Sequence, residues 1–260
     1  MLPIQHFPTM TSITKNKIKR LLLLVVPIVF WIGIWQLSAM AVNHSYLFPD
    51  VPTILKALVS IITAKTFFQT VLLTLIRVLT GLALGVILGI ILAVASHYSE
   101  IVNAILTPII SIVKSSPVAS FLVILWISLS GDALAVSIAV LMVMPIVWQN
   151  LMDGFNSIDN DLSELCDVYR VGFIKRMRLL IIPALTKYLI PGIITASGLA
   201  WKSEIAAEII AYTKRSIGQH INDAKYFMDT PSVFAWTLII IILSIILENI
   251  TKILLKRYRI

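Results

Sequence analysis

The chain has 260 residues, 58% of them apolar and only 13% charged, with a mean hydropathy of +0.95. A soluble domain is about half apolar and about a quarter charged, so this composition excludes an ordinary soluble fold and points to a polytopic membrane protein. The formal charge of +8 lies scattered between apolar runs, which fits the positive-inside pattern better than nucleic-acid binding, and the lone Cys166 excludes an internal disulfide.

Residues 1–14 carry no pattern and read as a frayed tail. Lys15, Lys17, Lys19 and Arg20 then precede an apolar run over residues 21–42, long enough to span ~30 Å of hydrocarbon. Ala39-Met40-Ala41 resembles a signal-peptidase site. The run is longer than the about 7–15 residues of a signal-peptide core, so it is read as a retained first span. Residues 43–70 form an outer segment. Pro49 and Pro52 favour extended backbone followed by a helix start, and a short surface helix is expected over 52–64.

Residues 71–96 make the second span. Gly81, Gly85 and Gly89 recur on one face, where small residues let another helix approach closely. Arg77 lies about two turns inside it, to snorkel or to pair with an acid. After an inner turn at 97–100, the third span covers 101–129. Pro108 and Lys114-Ser115-Ser116-Pro117 interrupt it, so a kinked or broken helix is expected. Broken backbone at membrane depth must face protein or water. Ser130-Gly131-Asp132 forms the outer turn, and residues 133–148 the fourth span.

Residues 149–182 are the longest polar interruption. They hold Asp159, Asp161, Glu164 and Asp167 with Arg170, Lys175, Arg176 and Arg178. Leu165, Val168, Tyr169, Phe173, Leu179 and Leu180 recur at roughly helical spacing. Such an amphipathic helix between two spans is what a soluble partner would grip. The fifth span covers 183–206, a second outer segment 208–230 with Gly218 as its turn, and the sixth span 231–255. Lys252, Lys256, Arg257 and Arg259 close the chain. Twelve of the basic residues fall on the proposed inner side and five on the outer, a bias that places both termini inside.

The polar stretch also carries a resemblance. Glu164-Leu165-Cys166 is followed nineteen residues after Glu164 by Pro183, preceded by Leu180 and Ile182. This spacing resembles the EAA loop of bacterial ABC importer permeases, with Leu165 and Cys166 in place of two alanines. Arg170 stands at the family's glycine position, and the nearest glycine is Gly172. The Val168-Tyr169 pair is similar to the nitrate, taurine and alkylsulfonate subgroup. The resemblance implies an all-α, six-helix permease of the type I importer fold in a bacterial cell membrane. It implies residues 1–20 as a cytoplasmic tail and 21–260 as the permease domain, with 149–182 as the cytoplasmic coupling loop. Glu164, Leu165, Cys166, Tyr169, Gly172 and Pro183 would then couple to a cytoplasmic ABC ATPase dimer. A second copy of the chain would form a homodimer with the pathway at the interface, and an extracytoplasmic binding protein would deliver a small solute such as a sulfonate or nitrate.

No phosphate-binding G-x-x-x-x-G-K-[ST] occurs, so ATP is expected on the partner and no cofactor on this chain. His6, His44, His97 and His220 are too dispersed for a metal site. Ionisable groups inside spans are functional candidates: Lys114, with Ser115 and Pro117 at the break, and Lys202, Glu204 and Glu208 near the outer end of the fifth span. Glu204 and Glu208 are four apart on one face and Lys202 lies toward another; the structural reading is that Lys202 and Glu204 pair internally or reach the interface. Glu208 gains support from the resemblance, since related permeases carry a run like Trp201 to Glu208. A secondary transporter working without an ATPase is the alternative, but it would favour inverted repeats, and no internal repeat is evident. An intramembrane enzyme lacks a nucleophile with a base.

Overall fold

The computed structural model describes residues 10–42, 44 and 47–256. Residues 1–9, Arg257 and Arg259 lie outside the described residues, as do the side chains of Lys15, Lys17, Lys19 and Arg20. Among the described residues every regular element is helical. Five helices are long and apolar enough to cross a membrane, and a sharply bent pair makes a sixth when counted as one span.

The first helix, α1 (Met10–Val42), begins inside the stretch expected to fray. Most of its described surface is bare. It is held near its end, where Trp35 stacks on Phe48 at 4.4 Å and meets Phe234 edge-on. Trp35 Nε1 also donates to the Pro49 carbonyl, and Gln36 Oε1 accepts from Val51 N–H. The surface helix α2 (Val51–Thr63) starts with Pro52 in its first turn, as the prolines predict.

The core is a three-helix stack of α3 (Phe67–Tyr98), α6 (Gly131–Asn156) and α9 (Ile182–Ala211). The three glycines seat α3 on α6. A Cβ at Gly81, Gly85 or Gly89 would lie 2.4, 2.6 or 2.7 Å from the Cβ of Ala139, Val143 or Val147. Inside a membrane, burial of apolar surface drives helices together weakly, so close backbone approach of this kind carries the association. Trp148 Nε1 adds a buried bond to Ser96 Oγ at 2.9 Å.

Between α3 and α6 lie α4 (Glu100–Ser115) and α5 (Val118–Trp126), bent by 102° at the break. Ser116 is extended there because a following proline disfavours the helical region. Pro108, expected to interrupt the same span, does not: α4 runs through it. Thr107 Oγ1 donates to the Asn103 carbonyl, next to the acceptor that the proline leaves unpaired.

The expected 149–182 loop is mostly helix. Helix α6 continues to Asn156, and α7 (Asn160–Val168) follows after a three-residue link. The helix resumes with α8 (Phe173–Arg176) and joins α9 through a π-turn, Met177–Ile181. Ile182 N–H bonds the Met177 carbonyl five residues back. Pro183 has no N–H to give, and the widened turn absorbs the loss without a break. Past α9 come α10 (Ile217–Tyr226) and α11 (Thr230–Lys256). Gly218, expected as a turn, lies within α10. It is there for space: a Cβ would sit 2.4 Å from that of Glu208.

Candidate functional site

Two polar regions sit at opposite ends of α6. Its 26 residues separate them by roughly 39 Å at about 1.5 Å per residue.

The first is α7. Asp159 caps it, accepting from Asp161 N–H at 2.9 Å. At the other end Arg170 N–H bonds the Asp167 carbonyl and Val171 N–H the Cys166 carbonyl, which is the paired closure of a Schellman motif. The residue after the cap, Arg170, takes φ +48°. The same closure ends α10 with Met228 at φ +55°, while at the end of α9 Tyr212, at φ +51°, and Thr213 both donate their N–H to the Glu208 carbonyl. Gly172 has φ −61° and open space around its Cα. The left-handed residue of this turn is therefore Arg170, at the family's glycine position, and not the nearby Gly172.

Apolar side chains on α7 face outward. Leu162, Leu165, Val168 and Tyr169 are exposed, Val168 and Tyr169 by 76% each, and Phe173 and Ile174 continue the patch. Arg176 ties this surface to the long helix behind it. Its Nη1 donates to Asp167 Oδ1 at 2.7 Å and its Nη2 to Ser163 Oγ. Of the sequence-derived coupling residues, Glu164, Leu165, Tyr169 and Gly172 are exposed and Cys166 is half-buried. Pro183 lies eleven residues beyond Gly172, about 16 Å along the helix, and is not part of the same surface.

The second region is a buried ionic cluster. Glu208 is wholly buried. It accepts from Thr74 Oγ1 and Arg77 Nη1, each at 2.9 Å, and from Gly218 N–H at 3.2 Å. Thr74 Oγ1 in turn accepts from Ile217 N–H. Arg77 also donates from Nε to Asp132 at 2.9 Å and from Nη2 to the Lys214 carbonyl at 3.2 Å. Each of the three guanidinium nitrogens is thus directed at an acceptor, as burial of a charge demands. The cluster joins α3, α6, α9 and the segment leading into α10. Nearby, Tyr212 Oη donates to Asp223, and that bond raises the phenol's pKa above its ordinary value. His220 stacks on Trp236 at 5.0 Å with Nε2 3.3 Å from Thr70 Oγ1. Burial lowers its pKa below the ordinary imidazole value, with Asp223 opposing.

The path candidates do not form one group. Glu204 lies one turn before Glu208, fully buried, and its carboxylate oxygens meet no hydrogen-bond partner among the described residues. Of the two alternatives for Lys202 and Glu204, an ion pair between them is not formed among the described residues, because side chains two apart on a helix point to different faces. Lys202 instead borders a crevice against Ile240, Ile241, Ser244 and Ile245 of α11. Lys114, Ser115 and Pro117 are exposed at the α4/α5 break. Lys114 Nζ donates to Gln149 Oε1 at 3.4 Å, and Gln149 Nε2 to Asp153. Thr74 and Asp132 were not singled out from sequence. A threonine one turn before an intramembrane arginine, and an acid opening the next long helix, were the available signals.

Comparison with known proteins agrees with this architecture. Residues 85–260 match the family model described as binding-protein-dependent transport system inner membrane component. The chain is 24% identical, over 90% of its length and 85% of the relative's, to the putative aliphatic sulfonates transport permease protein SsuC of Bacillus subtilis (strain 168). Its fold is similar to the crystal structure of an amino acid ABC transporter with histidines, at a TM-score of 0.60 and 16% identity over 75% of this chain and 92% of that one. The chain belongs to the family of binding-protein-dependent transport system inner membrane components and is a permease subunit of an ABC importer.

Proposed function

We propose that α7 is the surface on which a cytoplasmic ABC ATPase docks, and that the permease carries a small organic or inorganic anion. The observation that carries this is the exposed apolar face of α7, anchored to the α8–α9 helix by Arg176. A polar helix outside the apolar bundle has no reason to display Leu165, Val168 and Tyr169 unless a partner covers them. Movement of that partner would reach α9 through Arg176, and the spans would tilt. The chain itself would hold no nucleotide or cofactor and perform no catalysis; ATP would be hydrolysed by the partner.

The charge bias supports a multi-pass protein with both termini and α7 in the cytoplasm. A second copy would complete the translocation path, and an extracytoplasmic binding protein would deliver the solute to the opposite end. The curated relative's name refers to aliphatic sulfonates, which supports a sulfonate or similar anion. Lys114, exposed at the α4/α5 break, is the cation best placed to meet it, so Lys114→Met should impair uptake with the complex intact.

Docking is tested by co-purifying the ATPase with tagged permease. Covering a Leu or Val side chain is worth about 1.5–3 kcal/mol, so Leu165→Asp or Val168→Asp should weaken association by at least about tenfold. Glu164→Lys should separate ATP hydrolysis from transport. Unchanged co-purification in Leu165→Asp/Val168→Asp would remove α7 from the interface.

A further inference from the structure

We propose that the crevice between α9 and α11 near the C-terminal end of α11 is a binding site for an anionic phospholipid. The crevice holds about 560 Å³ and is lined by Ile190, Pro191, Ile194, Thr195, Lys252 and Lys256. Its chemistry is divided in two. Ile190, Pro191 and Ile194 give an apolar wall suited to an acyl chain. Lys252 and Lys256 stand one helical turn apart, with the Thr195 hydroxyl opposite, and offer donors to a phosphodiester.

The depth agrees. Lys252 is nine residues from the middle of α11, about 14 Å along its axis. That is close to half of the ~30 Å hydrocarbon core. Lys256 lies one turn further, at headgroup level. Lys187, exposed and one turn before Pro191 on the same face of α9, adds a third cation at that end. The surrounding surface of α11 is exposed and apolar at Ile246, Ile250, Ile253 and Leu254, so the crevice opens onto the hydrocarbon side and not onto a polar channel.

The charge is partly engaged. Lys252 Nζ sits 2.7 Å from Glu248 Oε1, whose pairing is an exposed i,i+4 contact of small worth. Among the described residues Lys256 makes no ion pair. Net positive charge therefore remains at the crevice mouth, and a basic pocket between spans at this depth is suited to an anionic headgroup. Pro191 forms part of the wall inside the continuous helix α9.

The test uses the full chain, assembled with its partners, in vesicles of mixed phosphatidylglycerol and phosphatidylcholine. Native mass spectrometry after extraction reads the lipid retained. Wild type should keep phosphatidylglycerol in preference to phosphatidylcholine. Lys252→Gln and Lys256→Gln should each lower that preference by roughly fivefold, the effect of about 1 kcal/mol per cation. Glu248→Gln, which frees Lys252, should raise it. Ile194→Trp fills the apolar part with the charges intact and should also expel the lipid. Unchanged retention in Lys252→Gln/Lys256→Gln would overturn the proposal. So would displacement of the lipid by free inorganic phosphate, which would make this a phosphate site. Loss of subunit assembly in the double variant with lipid retention unchanged would assign the crevice to a protein interface instead.

Discussion

Arg170 and Gly172 have exchanged the conformations their side chains favour. Arg170 stands at φ +48° after the end of α7, while Gly172, two residues on, has φ −61° that any residue adopts. The left-handed region costs a residue with a Cβ about 1 kcal/mol or more, and the Schellman closure at Val171 holds Arg170 there. Arg170→Gly should therefore stabilise the α7 turn by up to about 1 kcal/mol. Gly172→Val should be nearly silent, since nothing lies within 4 Å of its absent Cβ. Hydrogen exchange of the α7 amides reads both. Slower exchange in Arg170→Gly with no change in Gly172→Val is expected, and the reverse order would contradict the geometry.

The buried pair of Arg77 and Glu208 predicts a graded series. Removing one partner of a buried ion pair costs about 3–5 kcal/mol, because the other charge is left uncompensated. Arg77→Met and Glu208→Gln should each markedly lower the melting temperature of the purified complex. Combining them should cost less than the sum. Asp132→Asn should cost under about 1 kcal/mol, since the Asp132 side chain is 72% exposed. Equal losses from Asp132→Asn and Glu208→Gln would mean that the cluster is not organised around Glu208.

Gly85 should resist even a methyl group. Its Cβ would fall 2.6 Å from that of Val143, so Gly85→Ala must push α3 from α6, at about 1–3 kcal/mol. Val143→Gly should restore part of that loss, while a change at the loosely surrounded Gly198 should not. Thermal melts of the two single variants and the double supply the coupling. Independent, additive effects would exclude direct contact.

His220 gives the pH dependence. Burial holds its folded pKa below the ordinary 6.5, so below that pH the unfolded chain binds the proton more readily. Stability then rises with pH. The stacking of His220 on Trp236 should be fully favourable above about pH 6.5 and weaken as the pH falls below it. His220→Gln should flatten this dependence in melts followed across the acidic range. Retention of the full slope in the variant would assign it to another group.

Much of the fold was legible because it rests on local sequence. The glycine spacing predicted the α3 face and its packing role. Pro117 predicted the break, because a proline acts on the residue before it. Pro108 misled, since α4 runs through it, while Pro183 marked the start of the fifth span, where α9 begins. Helix α6 overran its expected end because Gln149 to Asn156 is polar on one side only, with Leu151 and Phe155 still buried. At the candidate site, Arg77 takes the second of the two alternatives read for it, snorkelling or pairing with an acid. Its choice of Glu208 and Asp132 was not readable, because it joins residues 131 and 55 positions away. Helical phase separates Lys202 from Glu204, as the sequence already shows: Lys202 is exposed and Glu204 is buried one turn before Glu208.

The interlocked glycine face leaves α3 and α6 no freedom to shear. Sliding one along the other would take Ala139, Val143 and Val147 out of the gaps that Gly81, Gly85 and Gly89 leave. Arg77 and Glu208 weld α9 to the same block. Any alternation of access must then be a rigid rotation of these three helices together. The parts held to that block most lightly are the bend at Ser116 and α1, which is fastened near its end by Trp35.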